Sequence, residues 1–356
     1  MRVNLLILCL CTLLFCPVTQ ASATNRGSND NEALTKAKKI KVLQLNLWHG
    51  GTKVANSLNS ITDIIDQLDP DIVLFCEIHN GNKYLEELKT SLNTKGKTYF
   101  GESLDTSVGI LSKYELENPV AFKDPGLMVK ASTTINNQRV AIYSVHYDYT
   151  HYECYMPRGY SGTTWKKLDA PITDVNYILE SNRMSQRDEA VEIFIADANK
   201  EVQNGNLVIM GGDFNEPSHL DWQENTKNLW DHNGVVINWD CSVMLTQNNY
   251  RDTYREKYKD VVNYPGFTFP AGNRNVELKD LSWAPEADER DRIDFIYYYQ
   301  DNNIKLLDSK IVGPEETICY GQIISKDSKD KFVTPKAVWP TDHKGNLATF
   351  SISQKK

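Results

Sequence analysis

Long apolar segments are almost absent from this sequence of 356 residues, of which 40% are hydrophobic and 24% charged. The exception is residues 5–15, which follow Arg2 and precede the small residues Ala21-Ser22-Ala23. This order is typical of a secretory signal, and the apolar stretch is too short to span a membrane. A buried N-terminal helix is the alternative, but it would be polar on one face. We therefore expect a signal peptide over residues 1–23, a secreted or periplasmic protein, and no membrane span.

Positive charge is in deficit. The sequence has 39 Lys and Arg against 47 Asp and Glu, which gives a formal net charge of −8. This balance argues against nucleic-acid binding by bulk electrostatics, which depends on neutralising phosphates with lysine and arginine. A nuclease stays compatible with it, since a local basic groove or bound cations can offset the overall sign.

Cysteine is scarce. The sequence has seven, of which Cys9, Cys11 and Cys16 fall inside the expected signal peptide. The remaining four allow three disulfide pairings in an oxidising compartment. Cys76 lies in an apolar run, so we expect it to be a buried thiol. At most one bridge is then left among the other three, which are Cys154, Cys241 and Cys319.

The rest of the chain reads as a polar tether over residues 24–40 and one domain over residues 41–356. Helical spacing of apolar residues predicts helices over 58–68 and 190–202. Short β-rich runs predict strands, which suits two packed sheets with helices outside. The predicted strands are 41–47, 71–77, 108–111, 140–147, 207–212, 293–299 and 347–350. Two aromatic-rich stretches, 143–165 and 238–288, fit neither period and are expected to be long functional loops.

A glycine-containing motif follows one predicted strand. In Gly211-Gly212-Asp213-Phe214-Asn215 the glycines let the backbone turn closely, and Asp213 and Asn215 emerge on the same side. A carboxylate and an amide so placed can orient a water molecule and hold a phosphate oxygen. The alternative is a polar turn in which both side chains satisfy their own backbone.

An acidic strand and an Asp-His pair lie towards the C-terminus. Arg292 and Asp294 alternate along a predicted strand, which alone is typical of a surface ion pair. Asp342 offers a metal ligand. His343 beside it offers an acid/base group whose tautomer needs an acidic partner. Asp294 is the candidate partner.

Three further polar residues end or interrupt apolar strands. Asn46 ends one, Glu77 ends another, and His146 interrupts a third. A buried glutamate is costly unless it is paired or binds a cation, whereas a lone buried histidine is more often structural. Taken together with the acidic residues above, these oxygen ligands suit Mg²⁺, with Mn²⁺ or Ca²⁺ as alternatives, rather than zinc.

The order of these motifs resembles the endonuclease/exonuclease/phosphatase superfamily, which includes deoxyribonuclease I. The resemblance spans nearly all of residues 41–350, and residues 109–113 resemble a further strand of that superfamily. It implies a four-layer α/β sandwich. The motifs are Leu45-Asn46, Phe75-Cys76-Glu77, Val145-His146, Gly212-Asp213-Phe214-Asn215, Asp291-Arg292-Ile293-Asp294 and Thr341-Asp342-His343.

The resemblance also implies roles for the site residues. Asn46, Glu77 and Asp342 match metal positions. Asp213 would orient or deprotonate the attacking water, Asn215 would bind the phosphate, and His343, paired with Asp294, would stabilise developing charge. His146 matches a second catalytic histidine of the deoxyribonuclease I branch. The implied reaction is in-line attack of water on phosphorus without a covalent intermediate. Some members carry an acidic residue where this sequence has Trp48, so a second metal position is not implied.

The motifs leave the substrate open. A nuclease acting on DNA or RNA is the first expectation. A sphingomyelinase-like, inositol or other small-molecule phosphodiesterase or phosphatase is the second. A non-enzymatic binding module is the third, and the joint presence of the site residues disfavours it. No stable protein partner is implied.

Candidate substrate-binding residues lie near the first motif and in the Tyr-rich loop after His146. They are His49, Tyr149, Arg158 and Tyr160. Aromatics with an arginine could stack on bases and hold phosphate, surround a choline headgroup, or pack the loop against the sheet.

Overall fold

Two β-sheets pack face to face in the protein, whose structure is a computed structural model that describes residues 37–355. The expected signal peptide and residues 24–36 of the expected tether lie outside the described residues. In chain order, the strands are β1 (Lys38–Asn46), β2 (Ile72–Cys76), β3 (Phe100–Glu102), β4 (Gly109–Ser112), β5 (Glu117–Phe122), β6 (Leu127–Ile135), β7 (Gln138–His146), β8 (Leu207–Asp213), β9 (Tyr250–Asp252), β10 (Asp294–Tyr299), β11 (Ile304–Val312), β12 (Thr317–Cys319), β13 (Gln322–Ile324), β14 (Phe332–Val333) and β15 (Gly345–Ile352).

Helices cover the outer faces of these sheets. The α-helices are α1 (Ser57–Leu68), α2 (Gly81–Thr94), α3 (Val175–Asn182), α4 (Arg187–Gln203), α5 (Asp240–Gln247) and α6 (Thr253–Lys257). Short 3-10 turns lie at His49–Gly51, Glu153–Tyr155, Arg183–Ser185 and Leu278–Asp280. No helix within residues 37–355 is long and apolar enough to cross a membrane.

Both large sheets are mixed. The first has seven strands in the order β14-β11-β15-β1-β2-β4-β3, and the second has six in the order β5-β6-β7-β8-β10-β9. β1 runs parallel to β2 and β7 runs parallel to β8. β15 is antiparallel to β1, and β10 is antiparallel to β8. The chain therefore leaves β1, β2, β7 and β8 at the edge of the sheets where it enters β10 and β15.

The main hydrophobic core lies between the two sheets. Ile72 and Leu74 of β2 pack there with Ile142 of β7 and Ile209 of β8, and all four side chains are fully buried. The outer faces are covered as well, by α1 and α2 on the first sheet and by α4 and α5 on the second. Central strands covered on both faces carry near-continuous apolar runs. The layers are helix, sheet, sheet and helix, which confirms the expected α/β sandwich.

The predicted strands and both predicted helices are present, with boundaries shifted by up to three residues. β1 begins at Lys38, so the polar tether cannot extend to residue 40 as expected. Lys38 and Lys39 pair with Ile352 and Ser351 of β15, although both lysine side chains are exposed. The backbone ladder extends the strand beyond its apolar run, which is why the side chains did not reveal it.

The expectation of a long loop over residues 238–288 is only partly correct. The stretch 238–288 contains α5, β9 and α6, whereas irregular backbone prevails in the described chain between β7 and α3. Cys76, Cys154, Cys241 and Cys319 are free and buried. Cys76 is thus the buried thiol that its apolar run predicted.

Candidate active site

Most of the predicted site residues converge at one edge of the sandwich, because strand ends of both sheets meet there. A cavity of about 580 Å³ opens at this edge. Asn46 and Asp294 lie behind its floor and are fully buried. The predicted catalytic and metal-binding residues that line it are Glu77, His146, Asp213, Asn215, Asp342 and His343.

His343 is held by Asp294. His343 Nδ1 and Asp294 Oδ2 are 2.9 Å apart. The other carboxylate oxygen of Asp294 accepts from Gln44 Nε2 at 2.9 Å. Burial alone would lower the pKa of His343, but Asp294 and Asp213 hold that pKa well above its ordinary value. The ring is therefore an imidazolium at neutral pH, with Nε2 turned towards the cavity.

Asp213 lies at the centre of the site. Its Oδ2 accepts from Asn46 Nδ2 at 2.9 Å and lies 3.8 Å from His343 Nε2 and 3.9 Å from His146 Nε2. Burial and Asp294 raise the pKa of Asp213 to about 6, against the opposing effect of the two histidines. A carboxylate with such a pKa can accept a proton near neutral pH.

Close packing of β7 on β8 fixes where Asp213 emerges. A Cβ at Gly212 would lie 1.8 Å from the carbonyl oxygen of Val145, so only glycine fits there. The Asp213 amide donates to the buried Cys76 thiol at 3.1 Å. The backbone of Gly212 and Asp213 is thus held by Val145 of the second sheet and Cys76 of the first sheet.

Glu77 sits at the mouth of the site, on the residue after β2. Its oxygens accept from Asn46 Nδ2 at 3.1 Å and from the His49 amide at 2.6 Å. Burial would raise the pKa of Glu77, but His146, the His49 amide and His343 hold it below its ordinary value. Glu77 therefore stays ionised, and its side chain keeps 23% exposure to the cavity.

Asn215 and His146 form the wall beside Asp213. Asn215 Nδ2 lies 3.3 Å from His146 Nε2 and donates to the Tyr147 carbonyl at 3.0 Å. The Asn215 amide donates to Asp213 Oδ1 at 2.8 Å. The polar-turn alternative for this motif is thus partly correct, yet both side chains also line the cavity.

The donor set fits a hard divalent cation. Glu77, Asp213 and Asp342 line one cavity, and burial is the main reason that the pKa of Asp342 rises to about 7, with Glu77 and Asp213 adding to it. A divalent cation would relieve this accumulation of negative charge. The Asn46 amide as placed turns its nitrogen to the carboxylates and its oxygen to the Trp48 amide. The opposite amide orientation, which has the same shape, would offer oxygen instead.

Ligand atoms of Asp213, Asp294 and His343 also lie within 4.8 Å of one another. A cation between them would displace the Asp294–His343 hydrogen bond and face a protonated histidine.

The opposite side of the cavity is aromatic. Trp165 and Trp283 have ring centroids 5.3 Å apart, and Tyr155 lies 5.8 Å from Trp165. Tyr149 and Trp283 keep 62% and 50% exposure. We call this surface the aromatic wall and define it by the lining residues Tyr149, Tyr152, Tyr155, Trp165 and Trp283.

The sequence profile of the Endonuclease/Exonuclease/phosphatase family matches residues 43–343 of this chain. The chain belongs to this family. The family consists of metal-dependent phosphoester hydrolases, and the chain is an enzyme of that class.

Individual relatives are more distant. The chain is 28% identical to the uncharacterized protein F14F9.5 of Caenorhabditis elegans over 260 residues, which cover 73% of this chain and 78% of that protein. Among solved structures, it resembles a D. rerio TDP2 humanized by 14 mutations, with a TM-score of 0.50, 13% identity, and coverage of 88% of this chain and 98% of that one. TDP2 from C. elegans also gives a TM-score of 0.50, with 14% identity and coverage of 92% and 81%. At these identities the likeness to the two structures concerns the fold.

Two expected substrate-binding residues of this family member need correction. His49 and Tyr149 line the cavity, but Arg158 and Tyr160 do not. The Arg158 side chain is fully buried, paired with Asp291, and it also donates to the Arg290 carbonyl at 3.0 Å. Tyr160 is buried and accepts at its hydroxyl from the Glu286 amide. Both residues hold the loops together.

We expect Arg158→Met to destabilise the fold by about 3–5 kcal/mol, since it leaves Asp291 as an unpaired buried carboxylate. The measurement is urea unfolding. Arg139→Met is the matched control, because Arg139 pairs with Glu117 at the surface and such pairs contribute about 1 kcal/mol or less. A raised KM with unchanged stability would instead restore Arg158 to substrate binding.

Sequence reasoning missed several residues that shape this family member's site. Gln44 orients Asp294, and its Oε1 accepts from Asn346 Nδ2 at 3.1 Å. Gln44 was visible only as a polar residue in an apolar strand. Trp283 lies in the aromatic-rich stretch 238–288, but neither it nor Glu289 was singled out. Their contacts with Trp165 and Tyr155 join two loops that are far apart in the chain.

Proposed function

We propose that this enzyme hydrolyses a phosphodiester by direct attack of water on phosphorus. The observation that carries the proposal is the buried hydrogen-bonded chain Gln44–Asp294–His343, which lies beside Asp213. It places a fixed imidazolium, His343, next to a proton acceptor, Asp213. Asp213 would take the proton of the attacking water, and His343 would stabilise charge on the phosphoryl oxygens.

Other residues have supporting parts in this proposal. Glu77, Asp342 and Asn46 would hold a divalent cation, with Mg²⁺ as the first candidate and Mn²⁺ or Ca²⁺ as alternatives. When bound, the cation would supply further stabilisation of charge on the phosphate. Asn215 would donate to a phosphoryl oxygen, and His146 would contact the same group.

The cavity favours a substrate that presents one phosphate. Its lining within the described chain includes no lysine or arginine, whereas a polymer needs cations for its flanking phosphates. We therefore place small phosphodiesters ahead of long DNA or RNA as substrates. A single-stranded nucleic-acid end is the second candidate, favoured by the exposed rings of Tyr149 and Trp283, on which bases could stack.

A substrate panel with matched controls tests the proposal. It contains bis(p-nitrophenyl) phosphate, glycerophosphocholine, inositol phosphates, single-stranded and duplex DNA, and RNA. We expect hydrolysis of the chromogenic diester with Mg²⁺, lost in EDTA and in His343→Ala. Inactivity on every substrate with Mg²⁺, Mn²⁺ and Ca²⁺ would refute the phosphodiesterase.

Glu77→Gln tests the cation position. The amide keeps the size of the side chain but removes its charge, so we expect the Mg²⁺ concentration for half-maximal rate to rise about tenfold or more. Calorimetric titration with Mg²⁺ gives an independent readout without substrate. Glu117→Gln, a change at an exposed surface pair, is the control and should leave both unchanged. Equal Mg²⁺ requirements in the two variants would place the cation elsewhere.

We also propose that the chain is exported, on the strength of the signal-like residues 1–23. Expression of the full chain followed by N-terminal sequencing tests this. A mature protein that begins after Ala23 in an extracytoplasmic fraction is expected, and an intact N-terminus in the cytoplasm would contradict it.

A further inference from the structure

The aromatic wall is supported from behind by a buried carboxylate. Glu289 is fully buried and accepts from the Tyr155 hydroxyl at 2.8 Å and from the Trp283 amide at 2.9 Å. Ser282 Oγ and the Ala284 amide donate to it as well, at 2.5 and 3.0 Å. One side chain thus fixes two rings that come from separate loops.

Among the described residues, no lysine or arginine lines the cavity beside the aromatic wall. The one arginine of the Tyr-rich loop, Arg158, does not line the cavity and forms a buried ion pair with Asp291. Lys53 lies over the outer Trp48 ring, 5.9 Å from its centroid, but does not line the cavity. Trp283 and Tyr149 therefore expose their rings to the cavity, Glu289 lies behind Tyr155 and Trp283, and the positive charge of Arg158 near Tyr155 is paired with Asp291.

Such a surface attracts cations. The face of an aromatic ring is negative, and indole is the strongest of the natural rings in this respect. A hydroxyl that donates to a carboxylate gains electron density, which applies to Tyr155 through Glu289. Nucleobases need polar partners for their edges as well as stacking. Among the ring-bearing residues of the wall, the tyrosine hydroxyl of Tyr155 is already engaged.

We propose that the aromatic wall is a subsite for a quaternary ammonium group, so that the preferred substrates are phosphodiesters of choline-like amino alcohols. This rests on the proposed phosphodiesterase activity and names its substrate class. A trimethylated ammonium has no N–H to satisfy, which suits a wall of ring faces better than a primary ammonium does. The phosphate would then lie at His343 and Asp213, in the same cavity.

A pair of substrates that differ only in charge tests the subsite. One is p-nitrophenyl phosphorylcholine, and the other is its carbon analogue, p-nitrophenyl 3,3-dimethylbutyl phosphate, in which an uncharged tert-butyl group replaces the trimethylammonium. We expect kcat/KM to be at least about tenfold higher for the choline ester. Tetramethylammonium should inhibit competitively, whereas neopentyl alcohol at the same concentration should not.

Substitutions in and behind the aromatic wall test whether it causes the preference for the choline ester. Trp283→Leu and Glu289→Gln should reduce the ratio of kcat/KM for the two esters towards one, because one removes a ring face and the other the charge behind it. Tyr177→Leu removes an aromatic that is 53% exposed outside the cavity, so it should keep the wild-type ratio. Circular dichroism and urea unfolding check that each variant folds.

The outcomes separate the two proposals. Hydrolysis of bis(p-nitrophenyl) phosphate with equal kcat/KM for the choline and dimethylbutyl esters would overturn the ammonium subsite and leave the phosphodiesterase intact. A wild-type ratio in both wall variants would overturn it too. Failure on these esters and on every substrate of the panel above would refute the activity itself. If the choline ester is preferred, hydrolysis of glycerophosphocholine is compared with hydrolysis of vesicles of phosphatidylcholine or sphingomyelin. The comparison shows whether the enzyme takes the choline phosphoester from solution or from a lipid surface.

Discussion

Asp213→Asn is expected to lower kcat by about 10²–10⁴-fold, the range that general-base catalysis contributes. The substitution keeps the shape of the side chain, so the hydrogen bond from Asn46 has an acceptor and the packing of Gly212 is unchanged. What is lost is the ability to accept a proton from the attacking water. KM should change little, because Asp213 faces the water more than the phosphate.

The pH profile gives a second readout of the same residue. Burial and Asp294 raise the pKa of Asp213 to about 6, and only the ionised form can accept a proton. The wild-type rate should therefore rise with pH through about 6, and a bound cation would move this limb to lower pH. In Asp213→Asn the limb should vanish from the residual activity.

Asp308→Asn is the matched control, because the Asp308 side chain is 45% exposed on β11, away from the cavity. It should keep the wild-type kcat and pH profile. If Asp213→Asn were to retain more than about a tenth of the wild-type kcat with its acidic limb in place, Asp213 would be a structural residue and another group would serve as the base.

The sequence predicted most of the central strands, although it missed β6, whose nine residues pair regularly with β7. β2, β7 and β8 are buried on both faces and read as continuous apolar runs. β5 and β11 were missed, and each carries a register shift, between Glu117 and Val120 and between Leu306 and Asp308. A bulge breaks the period-2 alternation on which strand prediction depends.

Helix α2 was missed for a different reason. Its buried residues Tyr84, Leu85, Leu88 and Leu92 do follow helical spacing. The segment is otherwise polar and begins after Asn80 without a side-chain cap, so the start signal is weak. The spacing of these apolar residues by itself indicates a helix.

The site divides along similar lines. Residues at strand ends could be predicted, because the sheet brings such ends to one edge whatever the loops do. The loop residues could not, since their positions depend on contacts between distant parts of the chain. Arg158 meets Asp291 across 133 residues, and Tyr155 meets Glu289 across 134. In the sequence, an arginine among tyrosines looks the same whether it faces a substrate or a buried carboxylate.

His343→Asn is expected to lower kcat by about 10²–10³-fold, the effect of removing one donor to a developing oxyanion. Asp294 and Asp213 hold the pKa of His343 well above its ordinary value, so the ring carries its charge at neutral pH. Asparagine retains a hydrogen-bond donor of similar reach but no charge. On the basic side of its pH profile, the activity of the wild type should fall as pH passes the raised pKa of His343 and the imidazolium loses its proton.

Comparing the loss of kcat in His343→Asn for diesters with different leaving groups shows which developing charge His343 stabilises. If it stabilises the phosphoryl oxygens, the loss in His343→Asn should be similar for p-nitrophenyl and alkyl diesters, because those oxygens are common to both. If it instead protonates the leaving oxygen, the p-nitrophenyl diester should lose little, since p-nitrophenolate departs without a proton. The buried Asp294–His343 pair would suit either role.

The position of His343 favours the first. Its Nε2 lies 3.8 Å from Asp213 Oδ2, on the side where the water attacks. In-line displacement puts the leaving oxygen on the opposite side of the phosphorus. The geometry therefore favours equal losses, and a loss confined to alkyl diesters would reassign His343 as the general acid.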